Sequence, residues 1–255
     1  MTTVKNLYDA INEWAPFQTA MSFDNVGLLV GDGNASVTKG LVALDVTPFV
    51  LEEAVSMGAE VIISHHPVIF QPLRTLSSNS LPYRLAREGI AVISAHTNYD
   101  LAAEGVNVCL AKALGLTAVQ PLTFDEKTGL PASFIGDLEQ GYASKEFAAY
   151  VKEVLHCGGV KFTEGSRLVR KVAVSCGAGS SSVFAAIAAG ADGFVTGESK
   201  HHELLAAKDA GITMVDAGHF NTENMAMEPL RQRLQQRFPE VDFVLSKATE
   251  PTCYL

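Results

Sequence analysis

Residues 88–100 read EGIAVISAHTNYD, and residues 210–223 read AGITMVDAGHFNTE. Both stretches run from Gly-Ile through an apolar, strand-like segment to Ala, and both end in the pattern His-x-Asn-x-carboxylate, with one extra Gly in the second. One segment earlier in each copy, residues 58–63 (GAEVII) match residues 190–195 (GADGFV). Matches that recur in the same order indicate a duplicated structural unit.

The repeat continues upstream and alternates strand-like with helix-like segments. Val42-Ala-Leu-Asp-Val corresponds to Val172-Ala-Val-Ser-Cys, and a helix-like stretch follows in each copy. Apolar runs of strand length occupy residues 40–46, 60–64, 90–94, 171–176, 193–196 and 212–216. Helix-like stretches that end near a Gly occupy residues 48–57, 181–189 and 202–210. Strands that are apolar throughout and alternate with helices are typical of sheets covered on both faces.

We therefore predict an α/β fold of two related lobes, each with a mixed sheet covered by helices. The first lobe is expected to span residues 1–122 and the second residues 123–255. The segment Thr123–Gly136 is expected to form the crossover, because it carries several turn-forming residues. A terminal helix is predicted at Met225–Arg237 and a last strand at Val241–Leu245.

The composition restricts the class of the protein and its partners. With 255 residues, 47% hydrophobic and 18% charged, the chain can build a full globular core. Its net charge of −9 disfavours nucleic acid as the primary partner, because an acidic surface repels phosphates. No secretory leader or membrane-spanning run is recognisable, and four cysteines without CxxC spacing fit reduced thiols. These features predict a cytoplasmic protein that does not bind membranes.

Imidazole and carboxylate side chains follow three of the apolar runs, at the point where each run ends. In chain order they are His65, His66, His96, Asp100, His219 and Glu223. In open α/β sheets, ligands bind beyond the carboxyl ends of the strands. We therefore expect these side chains to converge on a metal site between the two lobes.

The mixture of imidazole and carboxylate indicates which ions would bind. Zn, Fe, Mn or Co accept such a set, whereas Ca²⁺ and Mg²⁺ prefer oxygen ligands alone. Two ions at about 3.5–4 Å usually share a carboxylate and together activate water. We assign that bridging role to Glu223, the longer carboxylate, and keep His65, His66, Asp100 and His219 as further ligands. His96 is either a ligand or a group that orients Asp100.

Three other features each allow two interpretations. The loop with Gly177, Gly179 and Ser180 could bind an anionic substrate group, or it could form a tight turn with a helix cap. His201 and His202 could serve the site, by orienting a metal ligand or as a general acid, or they could be solvated residues at the start of a helix. Residues 24–31 could form a turn into an early strand or a wall of the site.

Five motifs together resemble those of the GTP cyclohydrolase I type 2 homologues, also known as the YbgI-like or NGG-one-interacting-factor-three-like family. They are residues 24–27 (DNVG), 64–67 (SHHP), 96–100 (HTNYD), 196–198 (TGE) and 218–223 (GHFNTE). The resemblance implies that His66 and Asp100 hold one metal ion, that His65 and His219 hold the other, and that Glu223 bridges them. It also implies a toroidal homohexamer, and the short segment after residue 122 matches the compact form of the family.

The resulting hypothesis is a metal-dependent hydrolase that acts on a small molecule, with a nucleotide such as GTP as the candidate substrate. His96, His201 or His202 would transfer the proton, and the loop at Gly177–Ser182 would hold an anionic group. Two alternatives keep the same ligands: a metal-storage or metal-delivery protein, and an oligomeric interaction scaffold without turnover.

Overall fold

The computed structural model describes Met1–Leu255, and the chain divides into two compact units. The first unit consists of Met1–Ala103 and Ala226–Thr249, and the second of Glu104–Met225 and Glu250–Leu255. This division differs from the predicted boundary at residues 122 and 123. The repeat located the two copies, but it contained no information on which copy residues 104–122 and residues 226–249 would join.

The elements follow one another in a mixed order along the chain. The helices are α1 (Val4–Trp14), α2 (Pro48–Met57), α3 (Leu81–Arg87), α4 (Thr97–Asp100), α5 (Val106–Ala113), α6 (Ser144–Val154), α7 (Val183–Ala188), α8 (His201–Asp209), α9 (His219–Asn224) and α10 (Met227–Arg237). The strands are β1 (Gly27–Val30), β2 (Lys39–Ala43), β3 (Val61–Ser64), β4 (Ala91–Ser94), β5 (Thr117–Phe124), β6 (Pro131–Tyr142), β7 (Lys161–Phe162), β8 (Val169–Ser175), β9 (Gly193–Thr196), β10 (Thr213–Asp216) and β11 (Asp242–Leu245). Short 3-10 helices lie at Phe17–Thr19 and Gly179–Ser182.

The first unit contains a five-stranded sheet in the order β1-β4-β3-β2-β11. Strands β4, β3, β2 and β11 are parallel, and β1 pairs with β4 antiparallel at the edge. Every residue of β3 and of β4 is buried, with Ile62 and Val92 in the hydrophobic core. The predicted α/β class, with a mixed sheet covered by helices, is confirmed here.

Local sequence signals fix the first crossover helix, α2. The side chain of Thr47 accepts a hydrogen bond from the backbone N–H of Val50, and Pro48 occupies the first turn, where its missing N–H is not needed. Gly58 ends the helix with φ of +69°, a left-handed conformation that favours glycine. These signals account for the agreement between the predicted and observed bounds.

The second unit contains a six-stranded sheet in the order β5-β6-β8-β9-β10-β7. Strands β8, β9 and β10 are parallel, whereas β5, β6 and β7 pair antiparallel with their neighbours. Phe194 and Met214 are fully buried in the core of this unit. Its central three strands correspond to β2, β3 and β4 of the first unit.

The hydrogen-bond register shows how the two copies correspond. Corresponding residues across the three parallel strands are Gly40, Val61 and Ala91 in the first unit and Val172, Gly193 and Thr213 in the second. The sequence alignment of Val42 with Val172 is therefore wrong by two residues. A shift of two residues keeps each side chain on the same face of a strand, so the apolar pattern cannot reveal it.

The predicted crossover at Thr123–Gly136 is also wrong, because this segment lies within the β5–β6 hairpin. The segment does contain a turn. The backbone N–H and hydroxyl of Thr128 donate to the Asp125 carboxylate, and Gly129 has φ of +67°. They close a hairpin rather than a crossover. Strand β5 is largely exposed, so it lacks the apolar run by which the other strands were found.

The remaining sequence-based elements agree with the structure. The terminal helix and last strand are present as α10 and β11, and the early strand after residue 24 is present as β1. None of the helices combines the length and the apolar character needed to cross a bilayer.

Candidate metal centre

One group of candidate ligands lies at the carboxyl ends of β3 and β4. His65 and His66 directly follow β3, and His96 follows β4 after a single intervening residue. The hydroxyls of Ser64 and Ser94 lie 2.8 Å apart and hydrogen-bond across the last ladder pair, which joins the two strand ends. Each of the three histidines offers one ring nitrogen, and these atoms lie within 4.8 Å of one another. Such a group could hold a metal ion.

Each histidine of this group has its Nδ1 engaged by an acceptor in the same unit. His65 donates to the Ala95 carbonyl at 2.8 Å, His66 to Asp45 at 2.7 Å and His96 to Asp24 at 2.9 Å. A carbonyl or an ionised carboxylate only accepts, so a ring proton lies on Nδ1, and in the neutral imidazole the lone pair lies on Nε2. Metal-ligating histidines are held in this way, because the outer acceptor fixes both the tautomer and the ring orientation.

Asp24 accepts more hydrogen bonds than the other two acceptors. One carboxylate oxygen accepts from His96, and the other accepts from the backbone N–H and the hydroxyl of Thr97. Burial raises the pKa of Asp24, but the hydrogen bonds from His96 and Thr97 outweigh it and lower the pKa to about 2. Asp24 is therefore a stable anion that orients His96. Residues 24–31 thus provide both a turn into β1 and a wall of this group.

In the second unit, two candidate metal ligands follow β10. His219 and Glu223 lie one turn apart on α9, with Nε2 of the histidine 3.0 Å from Oε2 of the carboxylate. The Nδ1 of His219 donates to Glu198 at 2.9 Å. Both ring nitrogens of His219 therefore face a carboxylate, and a metal ion held between Nε2 and Glu223 would leave the ring proton on Nδ1. By the strand register, Gly197 and Glu198 stand where the first unit has His65 and His66.

Two glycines leave the space in which His219 and Glu223 sit. A Cβ on Gly177 would lie 2.1 Å from Oε1 of Glu223 and 3.2 Å from Nε2 of His219. A Cβ on Gly197 would lie 2.6 Å from the hydroxyl of Thr222 and 2.9 Å from the Cα of His219. Gly177 also has φ of +51°, so both the steric clash and the left-handed backbone disfavour a side chain there. The backbone is thus shaped around the carboxylate and the imidazole.

The asparagine of each repeated motif fastens that motif to the end of a helix. Asn98 donates to the carbonyl oxygen of Ala15, the residue that caps α1, at 2.7 Å. Asn221 donates to the carbonyl oxygen of Leu155, the residue that caps α6, at 3.3 Å. Both asparagines are buried. Their role explains why the pattern His-x-Asn-x-carboxylate is present in both copies, although only its outer two residues can ligate a metal.

The spacing of donors within each unit fits ligation of a divalent ion. His65 Nε2 lies 3.5 Å from Oδ1 of Asp100, and His219 Nε2 lies 3.0 Å from Oε2 of Glu223. Two donor atoms bonded at about 2.0–2.2 Å to one ion, at ordinary coordination angles, are about 3.0–3.5 Å apart. The chemistry of the donors, the acceptors at each Nδ1 and the spacing therefore all fit a transition metal.

Other predicted residues lie in settings less suited to the roles considered for them. His201 and His202 are exposed in the first turn of α8, and His202 stacks on Phe184. The N–H of Gly177 donates to the hydroxyl of Thr222, and the N–H of Gly179 donates to a backbone carbonyl. The loop that also contains Ser180 is therefore better described as a tight turn than as an anion site.

Sequence reasoning missed the groups that orient the histidines. Asp45 and Glu198 each accept from a ring Nδ1, but each lies 21 positions from its histidine in the chain. The only signal was positional, since each stands just beyond the end of a strand, Asp45 after β2 and Glu198 after β9. The five motifs included residues 196–198 without giving Glu198 a function.

The identity of the fold family follows from comparison with known proteins. The profile of the family described as Duf34/NIF3 (NGG1p interacting factor 3) matches residues 2–251. The chain belongs to the NIF3 family. This confirms the resemblance found in the sequence motifs.

Individual relatives agree with this assignment over the whole length of the chain. A Clostridium perfringens protein named GTP cyclohydrolase 1 type 2 homolog is 30% identical over 253 residues, covering 96% of each chain. The crystal structure of a hypothetical protein from Staphylococcus aureus has a TM-score of 0.92 at 29% identity and covers 99% of each chain. A Bacillus cereus protein related to NIF3 has a TM-score of 0.91 at 24% identity, covers 100% of this chain and 99% of its own, and shows the shared fold.

Asp45 provides a test of the orienting groups in this NIF3 protein. Replacing Asp45 with Ala should lower metal affinity by about 10–100-fold, because the ring of His66 loses the acceptor that fixes its tautomer. Affinity can be measured by competition with a chromophoric chelator. Asp9→Ala, which removes an exposed carboxylate paired with Lys5 on α1, is the matched control and should leave affinity unchanged. Equal affinities of the two variants would contradict the assigned role.

Proposed function

We propose that this NIF3 protein is a metal-dependent hydrolase with a dinuclear centre, acting on a nucleotide such as GTP. The proposed ligands are His65, His66, Asp100, His219 and Glu223, with Glu223 as the bridge. The observation that carries the proposal is a hydrogen-bond arrangement that the histidines share. All four histidines at the strand ends, the fourth being His96, have Nδ1 within hydrogen-bond distance of an acceptor, which leaves Nε2 as the nitrogen that can bind a metal ion.

The two units would contribute different donors to this centre. The first supplies imidazoles with Asp100, whereas the second supplies one imidazole with Glu223. Neither set alone offers enough mixed ligands for two ions that share a carboxylate. Bound divalent ions of Zn, Fe, Mn or Co would polarise the substrate and lower the pKa of water.

Among the protein groups we assign proton transfer to His96. Asp24 fixes its ring through Nδ1, so that Nε2 points away from the acceptor and remains able to take or give a proton. The family resemblance leaves His96 outside the ligand set, which frees it for this role. His201 and His202 are weaker candidates, because both are exposed on α8.

The substrate class and the assembly rest on the resemblance to relatives. The Clostridium perfringens relative is named for GTP, so GTP is the first nucleotide to test. The homohexamer and the cytoplasmic location remain part of the proposal. Light scattering of the purified protein should give a mass of about six chains, and a monomer would rule out the hexamer.

A turnover assay tests the proposed activity. The protein is stripped with a chelator, reloaded separately with Zn²⁺, Mn²⁺, Fe²⁺ or Co²⁺, and offered GTP and a panel of phosphoesters. We expect hydrolysis that disappears on chelation and returns with at least one ion. A fully loaded protein that hydrolyses none of these compounds would contradict the enzyme proposal and favour metal storage or delivery instead.

A further inference from the structure

A cavity of about 640 Å³ in the second unit opens beside the donors described above. Its lining includes Glu198, Asp216, His219, Phe220, Glu250 and Tyr254. The volume is within the range of sites that hold a small organic ligand, about 300–1,000 Å³. Because His219 is part of the wall, a ligand in this cavity would lie next to a proposed metal ligand.

The charges around the cavity disfavour a phosphate group in it. Lys161 is its only basic side chain apart from histidine, and its ammonium group lies 2.8 Å from the carboxylate of Asp216. Asp216 is buried and also accepts from the backbone N–H and hydroxyl of Ser199, so the carboxylate that pairs with the exposed Lys161 side chain is held in place. The remaining charged groups are Glu198 and Glu250. A wall with these two carboxylates attracts N–H donors rather than anions.

The end of the chain forms one wall of the cavity. The ring of Tyr254 lies flat over Gly158 and Gly159, where an added Cβ would approach it to 2.3 Å and 2.5 Å. Its hydroxyl donates to Oε1 of Glu250 at 2.7 Å, and this hydrogen bond raises the pKa of Tyr254 to about 12. The tyrosine is still 43% exposed, so Gly158 and Gly159 do not cover it completely.

Glu250 lines the same cavity as this partly exposed ring and can accept further hydrogen bonds beside it. An ionised carboxylate has about four lone-pair sites, and Tyr254 uses one of them. Phe220 adds a second aromatic side chain to the wall. A flat ligand that stacks on an aromatic ring and donates two adjacent N–H groups along one edge would satisfy both features.

We propose that this cavity binds the base of the substrate and that the base is of the guanine type. Guanine presents two neighbouring N–H donors on one edge, which matches the carboxylate of Glu250. Adenine would turn a ring-nitrogen lone pair toward that carboxylate, and hypoxanthine lacks the second donor. The inference deepens the proposed function and rests on it, since the base site would hold the nucleotide beside His219.

Calorimetric titration of the metal-loaded protein with nucleosides tests this proposal without any phosphate. Guanosine should bind, inosine should bind about 10-fold more weakly, and adenosine should bind more weakly still, because each lost or mismatched donor leaves the carboxylate poorly paired. Glu250→Gln should weaken guanosine binding by about 10-fold or more and reduce the difference between guanosine and inosine. Glu13→Gln, an exposed carboxylate on α1, is the matched control and should change neither.

The tyrosine variants separate stacking from folding. Tyr254→Ala should weaken guanosine binding by about 10-fold, whereas Tyr254→Phe keeps the ring and should retain most of the affinity. Absence of guanosine binding, or equal binding of guanosine, inosine and adenosine, would overturn the base assignment. If the loaded protein hydrolyses nucleotides regardless of the base, only this inference fails; if it hydrolyses none but binds guanosine as described, only the proposed function fails.

Discussion

Glu223→Gln is expected to lower hydrolytic turnover by about 1000-fold, which corresponds to about 4 kcal/mol of lost transition-state stabilisation. Glu223 is only 3% exposed, and its carboxylate lies 3.0 Å from Nε2 of His219. Glutamine has nearly the same size, so packing is retained. It lacks the negative charge and the second equivalent oxygen that a bridge between two cations requires. Turnover and bound metal should be measured on the same preparation.

The matched control for this variant is Glu228→Gln. Glu228 lies on α10 and forms a surface ion pair with Arg231, so its replacement should cost at most about 1 kcal/mol of stability. The control should keep both turnover and metal. If Glu223→Gln retains wild-type metal content and turnover, Glu223 does not bridge the ions.

Gly177→Ala should remove most of the bound metal, although the substitution adds only a methyl group. The new Cβ would lie 2.1 Å from Oε1 of Glu223, which is too close for any contact, so the carboxylate must move. We expect a loss of metal affinity greater than the roughly 10–100-fold that follows from removing an outer hydrogen-bond partner. Competition with a chromophoric chelator gives the affinity, and thermal unfolding of the metal-free protein gives the stability.

Gly190→Ala separates the effect on the site from backbone strain. Gly190 has φ of +70°, and a Cβ there would meet nothing within 4 Å. Both variants should lose about 1–3 kcal/mol of unfolding free energy from the left-handed backbone. Only Gly177→Ala should lose metal. If the two variants hold the same amount of metal, Glu223 does not bind a metal ion from the space that the missing side chain of Gly177 leaves open.

Much of the fold could be predicted from the sequence because the central strands are buried on both faces. The runs ending at Ser64, Ser94 and Asp216 are apolar along their length, which makes them visible as strands. The exposed strand β5 lacks that pattern, so the turn that joins it to β6 is predicted as a crossover rather than as part of a hairpin. The offset between Val42 and Val172 was equally hidden, because side chains two positions apart share a face.

The candidate site could be predicted in part for a related reason. Residues that follow parallel strands of one sheet meet at one edge, so the candidate ligands of each unit could be grouped from their positions alone. The groups that orient them could not be found in this way. Asp24 bonds to His96 across 72 positions, and the space left by Gly177 is visible only in three dimensions. Such relations depend on packing rather than on periodicity.

The most direct test of a dinuclear centre is the metal stoichiometry of the full chain. The protein is purified without an affinity tag, titrated with Zn²⁺ or Mn²⁺, separated from free ions, and analysed by mass spectrometry of its metals. We predict about two tightly held ions per chain, falling below about one in Glu223→Gln. Stoichiometry near zero in the wild-type protein, or two ions retained by Glu223→Gln, would contradict the assignment of a dinuclear site to these residues.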